Sequence, residues 1–268
     1  MRNNKKMWLV FVVAVLLAGM AVTVEAKVKK GKTKTTTTKT GNNSKKPSNS
    51  KNLTFTVNGV KFEMVPVEGG ITKTCDPINL GARAKDVTLE SFYIGQTEVT
   101  QALWEAVMGN NPSCYKDPEK PVTDVSWEDC NKFIEELNKL TGKKFRLPSF
   151  AEWNFACKGG NQSKGYEFSG SNDIDKVAWY IGNSDHQIQI VATKEANELG
   201  IYDMIGNVSE WTSNFDDGIR AKGHEKGRCP PSAVVVGGDC HTEANSVYII
   251  NQLDVYRGHM STGLRLAL

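Results

Sequence analysis

Apolar and polar side chains alternate along residues 53–67. Phe55 and Val57, then Val60, Phe62 and Met64, lie on either side of Asn58-Gly59. A period of two predicts strands, and Asn-Gly between them predicts a hairpin closed by a primed two-residue turn. Residues 87–99 form a second β-rich stretch. Thr100 then caps a short helix over QALWEAVM, with Val99 placed to staple onto Trp104 and Gly109 to end it. Ser126 with Asp129 opens a longer helix. Its apolar stripe is Phe133, Ile134, Leu137 and Leu140, and Gly142 stops it. Ser149 and Glu152 make a capping box before the helix AEWNFACK, closed by Gly159-Gly160. After residue 160 regularity falls. Gly, Asn, Asp and Ser predominate, and the apolar runs shrink to 177–181, 188–191, 233–236, 246–250 and 264–268. The pattern predicts a loop-rich α+β domain without internal repeats. Loops this long in a folded domain are functional or are held by a ligand such as a metal.

One apolar run has a different character. Residues 7–24 are apolar apart from Thr23, follow the charged segment RNNKK, and end where Val24 and Ala26 offer small residues for a signal peptidase. Residues 1–26 therefore read as a signal peptide. An uncleaved anchor is the alternative, because this run is at the lower edge of a spanning length; it would be the chain's only link to a membrane. In either case the domain is exported, to a periplasmic, outer-envelope or extracellular location. No Cys precedes Cys75, so there is no site for lipid attachment. Residues 27–51 are a Lys/Thr/Ser/Asn tract with almost nothing apolar to bury, which predicts a disordered basic linker. The globular domain then occupies residues 52–268.

Charge sharpens this division. The 268 residues carry a net +3, but residues 1–51 carry +11, which leaves −8 on residues 52–268. An acidic domain behind a basic tail is no nucleic-acid-binding module. The overall composition, 39% hydrophobic, excludes collagen-like, coiled-coil and wholly disordered chains.

Seven phrases, in order, resemble the formylglycine-generating enzyme/sulfatase-modifying-factor family. They are residues 96–100 (QTEVT) with Trp104 and Met108-Gly109-Asn110; Pro121-Val122 with Val125-Ser126-Trp127; Arg146-Leu147-Pro148-Ser149 with Ala151-Glu152-Trp153; residues 197–204 (NELGIYDM); Gly206-Asn207-Val208 with Glu210-Trp211; Gly237-Gly238; and Gly263-Leu264-Arg265. The resemblance spans about residues 55–268. It implies a single-domain, low-regularity variant of the C-type-lectin fold.

The resemblance also implies a chemistry to test. The aerobic enzymes of this family oxidise a substrate Cys to formylglycine with Cu(I) held by two thiolates, the soft ligands that Cu(I) selects. At the two family positions this chain carries Thr242 and Val247, and Asp239 stands where the family has Ser after Gly-Gly. Cys240 lies nearby but at a shifted place. His241 beside it would lower its pKa, yet neighbours along a strand point to opposite faces, which argues against direct pairing. Cys240 and His241 are thus the weak catalytic candidates, and a copper cofactor is not expected. Ser209 replaces a family Trp.

Asp203, Gly206, Val208 and Glu210 match the stretch that wraps a Ca²⁺ in the family. Two carboxylates and two backbone carbonyls are the hard donors this ion takes, and alternation in an extended segment would put Gly206, Val208 and Glu210 on one side. Calcium is therefore the expected cofactor. Six cysteines in an exported chain suggest disulfides, with Cys229–Cys240 the favoured pair. His186, His224 and His259 are scattered, with no metal-ligand spacing. No Walker loop, Gly-x-Ser-x-Gly or His-Glu-x-x-His occurs. The expected function is that of a secreted or envelope, non-catalytic, calcium-stabilised module with a binding or structural role. Its expected partners are envelope proteins or glycans, and a binding role predicts an exposed cleft near residues 239–245. The alternatives are a copper-dependent oxidase that works with the moved Cys240, and a structural subunit of an envelope secretion or motility complex.

Overall fold

Local signals set most of the regular elements. A computed structural model describes residues 51–78, 83–216, 231–248 and 251–268. The expected signal peptide and residues 27–50 of the expected linker lie outside them. Strands β1 (Leu53–Val57) and β2 (Val60–Val67) form the expected hairpin, registered Phe55 opposite Phe62. Asn58 and Gly59 both sit at positive φ, 48° and 86°, as a primed turn requires. After β3 (Ile71–Thr74) and β4 (Lys85–Thr88), which pair with each other, β5 (Phe92–Gly95) joins β2 to complete a three-stranded antiparallel sheet.

Three capped helices follow. Helix α1 (Gln101–Met108) begins at Thr100, whose hydroxyl accepts the Leu103 N–H, and ends on left-handed Gly109. Helix α2 (Trp127–Thr141) and helix α3 (Phe150–Cys157) each open with both halves of a capping box, Ser126/Asp129 and Ser149/Glu152. A single turn, α4 (Ile174–Val177), leads into long irregular chain. The second large sheet comes from the C-terminal part. Its order is β8 (Asn251–Asp254), β7 (Ser232–Val236), β6 (Ser209–Asp216), β9 (Thr262–Leu264), with β6 and β9 parallel.

The chain end ties the two sheets together. Ala267 bridges Ile94 of β5 and Arg146, and backbone bonds join Tyr93 to Leu268 in both directions. Two apolar clusters fill the interior. One holds Phe55, Trp104, Phe133, Leu137 and Trp211; Trp104 stacks on Phe133 with centroids 4.9 Å apart. The other holds Phe150, Trp153, Ile201, Ile205 and Val247. Each such side chain, fully buried, contributes roughly 1.5–3 kcal/mol. Among the described residues no helix is long and apolar enough to cross a membrane.

Candidate functional site

Arg265, the last residue of the Gly-Leu-Arg phrase, is wholly buried. Its Nε donates to both oxygens of Glu210, at 3.0 and 3.1 Å, and its Nη2 donates to Glu210 Oε1 at 2.7 Å. The remaining donors reach the carbonyls of Gly95, Tyr202 and Asp203 at 2.9–3.1 Å. Trp153 Nε1 completes the Glu210 shell with a bond to Oε2 at 2.8 Å. The guanidinium thus fastens β5, the 202–203 loop, β6 and the chain end to one another.

Two further carboxylates are buried against this pair. Asp203 accepts the Ala192 N–H on Oδ2, while its Oδ1 has no hydrogen-bond partner. Glu98 accepts from Asn207 Nδ2 on Oε2, while its Oε1 is likewise unpartnered. Three carboxylates therefore face one guanidinium. Burial pushes Asp203 up to about 6 and pushes Glu98 well above the usual carboxylate range, with the Asp203 charge adding to the effect on Glu98. Sequence reading passed over Glu98. The signal available was a lone carboxylate in the β-rich phrase FYIGQTEVT.

The stretch assigned to calcium is folded differently from the extended segment expected. Asp203, Gly206 and Asn207 all have positive φ, and β6 begins only at Ser209. At Gly206 an added Cβ would fall 2.3 Å from the Trp179 carbonyl oxygen, so the chain passes too close there for any side chain. The simple alternation that would have aligned Gly206, Val208 and Glu210 therefore does not hold. For a hard cation, the orphan oxygen of Asp203 is a fitting donor. Glu210 would first have to release Trp153 or a bond from Arg265. Among the described residues, no three His, Cys, Asp or Glu side chains converge to hold a metal ion.

The second constellation surrounds Cys240 and His241. Residues 239–242 form a turn rather than a strand. Asp239 Oδ1 accepts from the His241 N–H and the Thr242 hydroxyl, and Thr242 Oγ1 accepts the Asp239 N–H. The turn reverses the alternation argument: Cys240 Sγ and His241 Nδ1 are in contact at 3.3 Å. Contact does not activate the sulfur. Cys240 is buried, and burial together with the Asp239 charge pushes its thiol up to about 12. The two positions that the resemblance gives to thiolates are occupied by other side chains. Thr242 is spent on the turn, and Val247 is packed into the core.

Cys75, Cys114, Cys130, Cys157 and Cys240 are all free thiols, which corrects the expectation of disulfides among the described residues; Cys229 lies outside them. Cys130 and Cys157 serve as small apolar side chains in the two clusters.

His241 also lines an open cavity of about 300 Å³, together with Tyr115, Lys120, His186, Ile188 and Met260. Of residues 239–245, where a cleft was expected, His241 lines this cavity. The rings of His186 and His241 lie 5.9 Å apart, although the two residues are far apart in sequence. His224 lies outside the described residues, and the His259 ring lies against Trp211.

The chain is similar to known proteins in sequence and fold. A family described as the sulfatase-modifying factor enzyme 1-like domain matches residues 39–268. The chain is 38% identical to chaperone protein LppX of Paenibacillus barcinonensis, an alignment covering 57% of this chain and 71% of that one. It is 29% identical to inactive C-alpha-formylglycine-generating enzyme 2 of Bos taurus over 43% of this chain and 40% of that protein, so it spans well under half of that relative. In three dimensions it resembles Treponema denticola variable protein 1, with a TM-score of 0.69 and 27% identity, covering 81% of this chain and 98% of that one. The architecture is thus the single-domain α+β, C-type-lectin-like fold expected from the sequence. By that fold, by the ordered phrases and by the extent of the match, the chain belongs to the sulfatase-modifying factor enzyme 1-like domain family.

Proposed function

We propose that this protein is a non-catalytic member of its family, exported to the cell envelope, where it binds a ligand or partner through the cleft beside His241. One observation carries the reading. The two positions that would hold copper thiolates are Thr242, which closes a turn, and Val247, which is buried in the core, and the one nearby sulfur is a protonated, buried thiol. A Cu(I) site needs two converging soft donors, and these residues supply no such pair. The names of two relatives, a chaperone and an inactive formylglycine-generating enzyme, agree with a role other than oxidation. Export rests on the apolar run 7–24 behind its charged start.

Calcium belongs to the same proposal as a stabilising ion. Asp203 Oδ1 would hold it, with the backbone carbonyls of Gly206 and Val208, and Glu210 would join by giving up a present donor. The ion would supply positive charge to a buried group of carboxylates that outnumbers its guanidinium.

The direct test is mass spectrometry of a Cys-containing sulfatase-motif peptide after incubation with the protein, Cu(I) and O₂. The peptide is expected to keep its Cys. An aldehyde at that residue would overturn the reading and restore the oxidase.

A further inference from the structure

The cleft beside His241 has a charge opposite to that of the domain around it. Residues 52–268 carry a net −8, yet among the described residues no carboxylate lines the cavity. Two nearby acids are already engaged: Asp124 accepts the Cys114 N–H, and Asp239 accepts from His241, Thr242 and Ser261. The basic side chains among the lining residues are Lys120, His186 and His241. The Lys120 ammonium has no hydrogen-bond or ion-pair partner among the described residues. His186 is presented by strained backbone, since Asp185 and His186 are consecutive non-glycine residues at φ 54° and 56°. Such geometry costs on the order of 1–3 kcal/mol per residue and persists where the surroundings enforce it.

The cavity's other wall is apolar. Ile188 lines it, and the rim carries Tyr115 and Met260, which are 77% and 66% exposed. Large side chains this exposed, beside a cavity of ligand size, mark a binding surface more than a packing accident.

Resting on the binding-module reading above, we infer that the cleft takes an organic anion. A carboxylate or similar head group meets Lys120 and the two imidazoles, and an apolar body lies against Ile188, Tyr115 and Met260. An ammonium without a partner attracts an anion more strongly than a neutral isostere, because only the anion makes a charge-assisted hydrogen bond to it. A free carboxylic acid and the C-terminus of a peptide share this chemistry.

The test is a titration followed by NMR of protein carrying ¹³C-methyl methionine, read at Met260. The free-acid probes are phenylacetate, phenylacetamide and phenethylammonium; the peptide probes are a short peptide ending in Phe and its C-terminal amide. Phenylacetate is expected to shift the Met260 methyl saturably and to bind about tenfold more tightly than phenylacetamide, with phenethylammonium weaker still. The same ratio between the acid and amide peptides would identify a peptide terminus as the natural source; a ratio confined to phenylacetate would identify a small acid. Lys120→Gln, with an unchanged melting temperature, is expected to erase the acid–amide difference. Equal binding of acid and amide, no shift at Met260 with any carboxylate, or an undiminished preference in Lys120→Gln would overturn the inference. The peptide-oxidation assay reads the non-catalytic proposal separately, so failure of one is not failure of the other.

Discussion

At the scale of single residues, the decisive feature is a buried guanidinium shared among carboxylates. Arg265 donates to Glu210 and to three backbone carbonyls. Replacing it with Met would leave Glu210 as an uncompensated buried charge, and breaking such a pair costs about 3–5 kcal/mol. Arg265→Met is therefore expected to lower the urea midpoint sharply. Arg265→Lys should lose part of that amount, because an ammonium cannot reproduce the planar fork. Equal stability of wild type and Arg265→Met would remove this account. Asp203 makes the complementary prediction. Its folded-state value of about 6 lies above the unfolded value of about 3.9. The folded state therefore holds the proton more tightly, and the stability this gives is fully present below about pH 4 and lost as pH rises through about 6. In chelator, Asp203→Asn should gain on wild type between pH 5 and pH 7.5, by on the order of 1 kcal/mol. Denaturant midpoints at four pH values would read the difference; a flat difference would contradict it.

Elements depend on a few local groups. Ser149 accepts the Glu152 N–H, and Glu152 returns a bond to the Ser149 N–H while pairing both oxygens with Arg146 at 2.6 and 2.8 Å. The α3 start is thereby fixed against the segment bridged to the chain end. Ser149→Ala is expected to cost about 1 kcal/mol, as loss of an N-cap does, measured as a shift in the thermal midpoint. An unchanged midpoint would show that the Arg146 pair alone holds this helix start. The capping signals at Thr100, Ser126 and Ser149 were plain in the sequence because capping is decided within four residues. The strand reading of Cys240 and His241 failed for the same reason in reverse. Asp239 and Thr242 close a turn on each other, and the backbone of that turn is held by Asn207 and Ser184, distant in sequence.

At the scale of the whole molecule, charge and ion binding converge. The buried group of Glu98, Asp203 and Glu210 exceeds its one guanidinium, and two of its oxygens lack partners. A bound Ca²⁺ would relieve this. A thermal melt in calcium is expected to exceed one in chelator by several degrees, since an ion at about a hundred times its Kd stabilises by about 2.7 kcal/mol. Asp203→Asn should abolish the increment. Identical midpoints with and without chelator would remove calcium from the proposal.

The hairpin, the three capped helices, the loop-rich remainder and the family were legible in the sequence alone, because turn residues, caps and hydrophobic period act over a few neighbouring positions. So was the presence of Thr242 and Val247 at the two positions that the resemblance gives to thiolates, a matter of residue identity. Only the tertiary structure could set Glu98 against Asp203, give Glu210 to Arg265, and bring His186 beside His241 and Lys120. It also kept five cysteines apart as thiols. Burial and the neighbours of a charge are fixed by how distant segments pack, and no local pattern along the chain records that packing.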